Sequence, residues 1–373
     1  MSHAFIVAAR RTPIGTAGRA LGGVSAAELG AAAVRAVVDD LGREPAEVIL
    51  GNCMGPGGNV ARVAALTAGL PEEVSALTVD RQCASGLAAI ELGARLVVSG
   101  AGPVVAGGVE SASTAPWRFW PPEGDVAPVR YERAPFAPVS DDIDMGLAAD
   151  LLAEERGISR ERQDAYAAES HARAVSAAAR GEFTDEIVPV GEVSADERPR
   201  SGLTPERLAR FPASFRAGGS VTAGNSCGIN DGAAAVGMVS ASSAAEAGRP
   251  GLRVLSAASV GVAPSRPGIG IVPAVRQALT EADLALGDLD VIEFNEAFAG
   301  QVLACYDELG IDPSRACAAG GALALGHPWG ASGAVLVVRL FTQLIRQGRG
   351  RYGLAAIAAG GGQGTALVVE ACR

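Results

Sequence analysis

Residues 80–108 read DRQCASGLAAIELGARLVVSGAGPVVAGG, and the second half of the chain returns to the same plan: Gly330-Ala-Ser-Gly, a helical stretch, then Ile357-Ala-Ala-Gly-Gly. In the first copy a short apolar run, Ala76 to Val79, precedes Cys83-Ala-Ser-Gly. Leu87, Ile90, Ala94 and Val97 then fall on one face of a helix, and Val104 to Gly108 is a continuous apolar run of the kind a buried strand makes. Such self-similarity points to a duplicated α/β unit, and two copies packed about a pseudo-twofold axis bring their strand-to-helix turns together. The competing reading is that Ala-Ser-Gly merely recurs in a chain rich in Ala and Gly.

The flanking sequence extends the pattern. Ala4 to Ala9 and Val48 to Asn52 read as strands, and between them Ala26 to Leu41 places Leu29, Val34, Val37, Val38 and Leu41 on one side of a helix. Strand, helix, strand, helix recurs at Leu252 to Val260, Val272 to Ala282, Asp290 to Phe294 and Ala297 to Leu309. Alternation of this kind predicts an α/β protein with a parallel or mixed sheet covered on both faces. Between the copies, residues 116–138 hold six prolines and no periodicity, as a loop does. A long polar helix is expected from about Gly146 to Gly181, followed by an arginine-rich segment with Arg198, Arg200, Arg207, Arg210 and Arg216. That segment reads either as a solvated charged surface, which the interspersed Glu and Asp favour, or as a set of phosphate partners. The expected organisation is residues 1–112 with 214–244 as one half, 113–213 as an insertion, and 245–373 as the other half.

Composition excludes several chemistries. All 31 positive charges are arginine, so a Schiff-base lysine and the phosphate-gripping lysine of a P-loop are both absent. Three histidines, His3, His171 and His327, are too few for an imidazole zinc cluster, and no metal is expected. A formal charge of −10 argues against a nucleic-acid or anionic-membrane partner. The six cysteines show neither a C-x-x-C pair nor a framework spacing and read as the reduced thiols of a cytoplasmic protein. No stretch reaches eighteen uninterrupted apolar residues, and the N-terminus lacks the pattern of a signal peptide, so a soluble, unprocessed chain is expected.

Four places can carry chemistry. Cys83 stands at a predicted helix start, where unpaired N–H groups and the helix dipole favour a thiolate; the competing reading is a buried inert thiol. His327, in GGALALGHPWGASG, is suited to taking the proton of a nearby thiol, or is satisfied by backbone; of the three histidines it is the best partner for Cys83. Asn295 either caps a helix in NEAFAG or holds a water or polarises a carbonyl. GGGQG at Gly360 to Gly364 offers backbone N–H groups as an oxyanion hole, or is a tight turn.

Taken together and in order, DRQCASG, VVAGGVES, GNSCGINDGAAA, NEAFA, GGALALGHPWGASG and GGGQG resemble the thiolase family, the acyl-CoA C-acyltransferases, over nearly the whole chain. The resemblance implies a layered αβαβα fold of two similar five-stranded halves, with an inserted loop domain covering coenzyme A. It implies a place in fatty acid metabolism, a homodimer or homotetramer, coenzyme A thioesters as substrates and no permanently bound cofactor. It assigns Cys83 as the acylated nucleophile and His327 as its activator. His327 shares one oxyanion hole with a water held by Asn295, and the N–H groups of Cys83 and Gly360 form the other. Met145, Cys227 and Phe298 match residues lining the pantetheine and acyl pocket, although the family more often has serine at Cys227, and Arg198, Arg200 and Arg207 are the candidate phosphate partners.

One departure stands out: the family's second cysteine, which moves the α-proton of acetyl-CoA, is matched here by Ala358 in AIAAGGGQG. A methyl group cannot carry a proton. Three explanations follow: an alanine variant of an ordinary thiolase, a member limited to acyl transfer, hydrolysis or ketoacyl-synthase-like decarboxylating condensation, or a silent subunit that binds coenzyme A. Retention of Cys83, His327 and Asn295 speaks against the last.

Overall fold

The computed structural model describes residues 3–131 and 133–373. The N-terminal half contains β1 (Ala4–Arg11), α1 (Ala26–Leu41), β2 (Glu47–Gly51), α2 (Val60–Thr67), β3 (Ser75–Val79), α3 (Ser85–Val98), β4 (Val104–Ser111) and, after the insertion, β5 (Asn230–Ser240). The insertion carries α4 (Met145–Glu155) and α5 (Arg160–Ala179). The C-terminal half contains β6 (Gly251–Gly261), α6 (Ile271–Ala282), β7 (Val291–Phe294), α7 (Ala299–Leu309), α8 (Trp329–Phe341), β8 (Tyr352–Ala359) and β9 (Gln363–Cys372).

Strand order displays the duplication. The first half runs β3-β2-β4-β5-β1 and the second continues β6-β9-β8-β7, so the two halves mirror one another across the β1–β6 seam. That seam is short, with Phe5 opposite Arg253 and Ile6 opposite Leu252. In each half the strands distal to the seam pair in parallel and those nearer to it antiparallel. The second half lacks a full fifth strand: the place of β3 is taken by a single bridge from Ile292 to Ala316. Cys317 follows at φ 49°, which ends the extended backbone there.

Strand alternation then sorts side chains into layers. Along β4, Val104 and Ala106 enter a central core while Val105 and Val109 enter an outer one under α1 and α2. Along β9, Leu367 and Val369 face the centre while Ala366 and Val368 face an outer core under α6 and α7. The central core is filled by α3, through Leu87, Ile90, Ala94 and Val97, and by α8, through Val335, Leu336 and Leu340. The layers are therefore α, β, α, β, α. Each large side chain sequestered in this way contributes about 1.5–3 kcal/mol. Helix ends are specified locally: Ser25 and Glu28 form a reciprocal capping box on α1, and Gly42 closes it in the left-handed conformation.

The insertion differs from expectation in two respects. The single polar helix is two, because Gly157 turns at φ 63° and the Ser159 side chain accepts from Arg162 N–H to start α5 afresh. The proline-rich stretch carries a small hairpin, Arg118–Trp120 paired with Val129–Tyr131. Buried polar contacts fasten the insertion to the C-terminal half: Tyr166 and Ser170 of α5 donate to Glu296 at 2.7 Å each, and Glu186 receives Arg339 at 2.5 Å. No described helix is long and apolar enough to cross a membrane.

Candidate active site

The turn between β3 and α3 is built by local hydrogen bonds. Gln82 adopts φ 49° and donates its backbone N–H to Asp80 Oδ1 at 2.7 Å. Ser85 Oγ donates to the Gln82 carbonyl at 2.6 Å and accepts from Arg81 N–H at 2.7 Å. Cys83 is thereby held at the N-terminal end of α3. Burial pushes the Cys83 thiol up to about 12, helped by the neighbouring Cys227, against the N–H groups of Cys83 and Gly360 that lie against the sulfur and pull toward the thiolate.

Gly360 follows β8 and opens the turn into β9, with Gly361 and Gly362 at φ 78° and 76°. A Cβ on Gly360 would meet Phe136 at 2.6 Å, so only glycine brings this N–H beside the sulfur without moving that ring. Ala358 lies two residues earlier on β8, opposite Gly364.

His327 follows Gly326, whose φ of 113° aims the loop inward. Its N–H donates to Asn230 Oδ1 at 2.9 Å, and Nδ1 lies 2.6 Å from Ser332 Oγ. Nε2 is buried without a partner among the described residues. Burial lowers the imidazole to about 4, which keeps it neutral near pH 7. No hydrogen bond joins Cys83 to His327 among the described residues. Their positions are linked instead through the crossing of α3 and α8, where a Cβ on Gly86 would meet the Gly330 carbonyl at 2.8 Å. Asn295 does not cap α7, which starts at Ala299 with no side-chain cap; it lines a small cavity beside α8 together with Ser332.

Cys83, Gly360, Met145, Cys227 and Phe298 line one cavity of about 390 Å³. His327 and Asn295 lie behind this lining, both buried. Arg198 stands behind it too, with Nε donating to the Leu323 carbonyl and Nη2 to the Ser226 carbonyl. Arg200 and Arg207 are exposed and outside the lining. Among the described residues no group of three or more His, Cys, Asp or Glu side chains is arranged to hold a metal ion.

Comparison with known proteins places this geometry. The thiolase N-terminal domain matches residues 4–242 and the thiolase C-terminal domain residues 249–371. The chain belongs to the thiolase family. It is 44% identical to an acetyl-CoA acetyltransferase of Pseudomonas aeruginosa, with 99% of each chain covered. It is 41% identical to a beta-ketoadipyl-CoA thiolase of Acinetobacter baylyi, over 99% of this chain and 100% of that one. The crystal structure of the Bacillus anthracis acetyl-CoA acetyltransferase superposes with a TM-score of 0.94 at 38% identity, covering 100% of this chain and 99% of that one. The protein is a thiolase-type acyl-CoA C-acyltransferase, and these matches favour that reading over a decarboxylating condensing enzyme or a silent subunit.

Several cavity residues of this thiolase escaped the sequence reading. Arg118 and Arg133, both in the proline-rich stretch, line the cavity with Phe136, Phe215 and Trp329. Arg118 donates to the Met54 carbonyl at 2.7 Å, and Arg133 pairs with Asp142 at 2.9 Å while its guanidinium stacks on Phe136. The only available signal was arginine and aromatic residues interleaved in a loop otherwise too rich in proline to be read.

Proposed function

We propose that this thiolase moves acyl groups between acetyl-CoA and 3-ketoacyl-CoA through an acyl-cysteine on Cys83. The observation that carries the reading is the Cys83 sulfur, at a helix N-terminus in the cavity, with the Gly360 N–H directed at it. An acyl group on that sulfur brings its carbonyl oxygen to those N–H donors, where the charge of a tetrahedral intermediate is stabilised. Neutral His327, with its proton on Nδ1 toward Ser332, presents the free Nε2 lone pair to the thiol proton. Asn295 holds the water that completes the second oxyanion site with His327. Met145, Cys227 and Phe298 receive the pantetheine arm and acyl chain, and the cations nearest the cavity, Arg118 and Arg133, join the candidates Arg198, Arg200 and Arg207 for the phosphates.

We read the protein as a homodimer or homotetramer of the cytoplasm with no resident cofactor. The exposed Phe119 and Trp120 of the hairpin and Trp117 just before it support a protein interface, and six unpaired cysteines support a reducing compartment. Incubation with acetyl-CoA followed by intact-mass analysis tests the reading. A single acetyl adduct that disappears in Cys83→Ala is expected; no adduct on the unaltered protein sinks the proposal.

A further inference from the structure

Making or breaking a carbon–carbon bond at C2 of an acetyl thioester requires a group that takes a proton from that carbon or returns it. Ala358 cannot be that group. The cavity lining holds few alternatives. Arg118 is engaged by the Met54 carbonyl and Arg133 by Asp142, Asp80 is engaged by the Gln82 N–H, and Asp144 by the N–H groups of Gly146 and Leu147 at the start of α4. Cys53 donates its thiol to the Gln82 carbonyl at 3.0 Å. Cys83 carries the acyl group. Cys227 remains, and its Sγ meets no side-chain partner and no N–H but its own among the described residues.

Its surroundings suit a proton carrier. The Cys227 N–H is fixed to the Ala297 carbonyl at 2.9 Å, and Ser226 bridges to Phe298, so the thiol is held on a braced segment. Behind it stands the Arg198 guanidinium, mostly buried and without a carboxylate within ion-pair distance among the described residues. Its Nη1 lies against Gly228, the next residue. Burial holds Cys227 as a thiol, pushed up to about 12, while the Arg198 charge works in the opposite direction and stabilises the thiolate left once the proton has gone.

We propose that Cys227 is the second catalytic acid–base group of this enzyme, exchanging a proton with C2 of the acetyl moiety, the role that Ala358 cannot fill. The inference rests on the acyl-Cys83 reading above. In cleavage, the Cys83 proton passes to His327 and the sulfur attacks the 3-keto carbon. The C2–C3 bond breaks, and the carbanion of acetyl-CoA takes the Cys227 proton. Free coenzyme A then attacks acyl-Cys83, its thiol proton restoring Cys227, and the His327 proton returns to Cys83.

The test follows deuterium uptake from D2O into the methyl group of acetyl-CoA, and thiolysis of a 3-ketoacyl-CoA, in the full-length protein and in Cys227→Ala and Cys227→Ser. The expected result is a fall of about 10²- to 10⁴-fold in both rates for both variants, the usual contribution of general acid–base catalysis, while intact mass still detects an acyl group on Cys83. Recovery of exchange on adding Ala358→Cys to Cys227→Ala identifies the lost group as a proton carrier. Either variant exchanging within about threefold of the unaltered protein overturns the inference, and so does a Cys83 that acylates in an enzyme with no exchange at all. A protein whose Cys83 never acylates overturns the functional reading itself.

Discussion

Gly86→Ala tests whether the crossing of α3 and α8 sets the chemistry. A Cβ at residue 86 would lie 2.8 Å from the Gly330 carbonyl oxygen and 3.0 Å from Ala334 N, both backbone atoms that cannot rotate away. Ordinary contact begins at 3.4 Å, so the two helices must part by about 0.6 Å. Overpacking of this size costs about 1–3 kcal/mol, but alanine in place of glycine near a helix start returns about 1 kcal/mol, leaving a Tm change of only a few degrees. Nothing offsets the displacement of Cys83 relative to His327. Since about 1 Å of misplacement costs on the order of 10²-fold in rate, about 0.6 Å predicts roughly a tenfold to twentyfold slower acylation. The assay is rapid quench and intact mass with subsaturating acetyl-CoA, with Gly23→Ala as control because nothing lies within 4 Å of its added Cβ. Gly86→Ala acylating Cys83 as fast as the unaltered protein refutes the argument.

Three further outcomes are expected. Ser332→Ala strips His327 Nδ1 of its partner at 2.6 Å and slows acylation about tenfold, read in the same assay; an unchanged rate contradicts the assigned orientation of the ring. Glu186→Gln leaves buried Arg11 and Arg339 short of their shared carboxylate and lowers stability by about 3–5 kcal/mol, measured by denaturant unfolding. Glu293 is raised to about 7 by burial, so its favourable contribution is complete below an unfolded value of 4.5 and is lost as pH rises through about 7. Glu293→Gln should therefore gain up to about 3 kcal/mol relative to the parent between pH 5 and pH 8, and parallel stability profiles for the two proteins would disprove it.

Periodicity made the layered fold legible because strand alternation and helical spacing are local signals. Leu87, Ile90, Ala94 and Val97 enter the central core as their spacing predicts. The Ala-Ser-Gly repeat located the two turns for the same reason. Where the reading failed, the deciding interactions are distant in sequence. Asn295 leaves the capping role because it continues the sheet pairing, its N–H donating to the Ala356 carbonyl, and α7 starts only at Ala299, out of its side chain's reach. The Cys83 thiol is pushed up by burial, which no turn motif discloses. Arg118 and Arg133 reach the cavity only once the proline-rich stretch folds over it. The break at Gly157 and Ser159 is local, and its punctuation was present in the sequence.

Duplication supplied this protein with two equivalent corners, yet only one can bear a reactive side chain. Gly330 occupies the place that Cys83 holds in the other copy, and a Cβ there would sit 2.9 Å from the Asn52 Cα and 3.0 Å from a Glu110 carboxylate oxygen. Close approach of the first turn of α8 to the ends of β2 and β4 thus leaves no room for a side chain at that corner. On the acyl-Cys83 reading proposed above, the second corner adds no further acylation site, and the two copies divide the labour between a nucleophile and a packing contact.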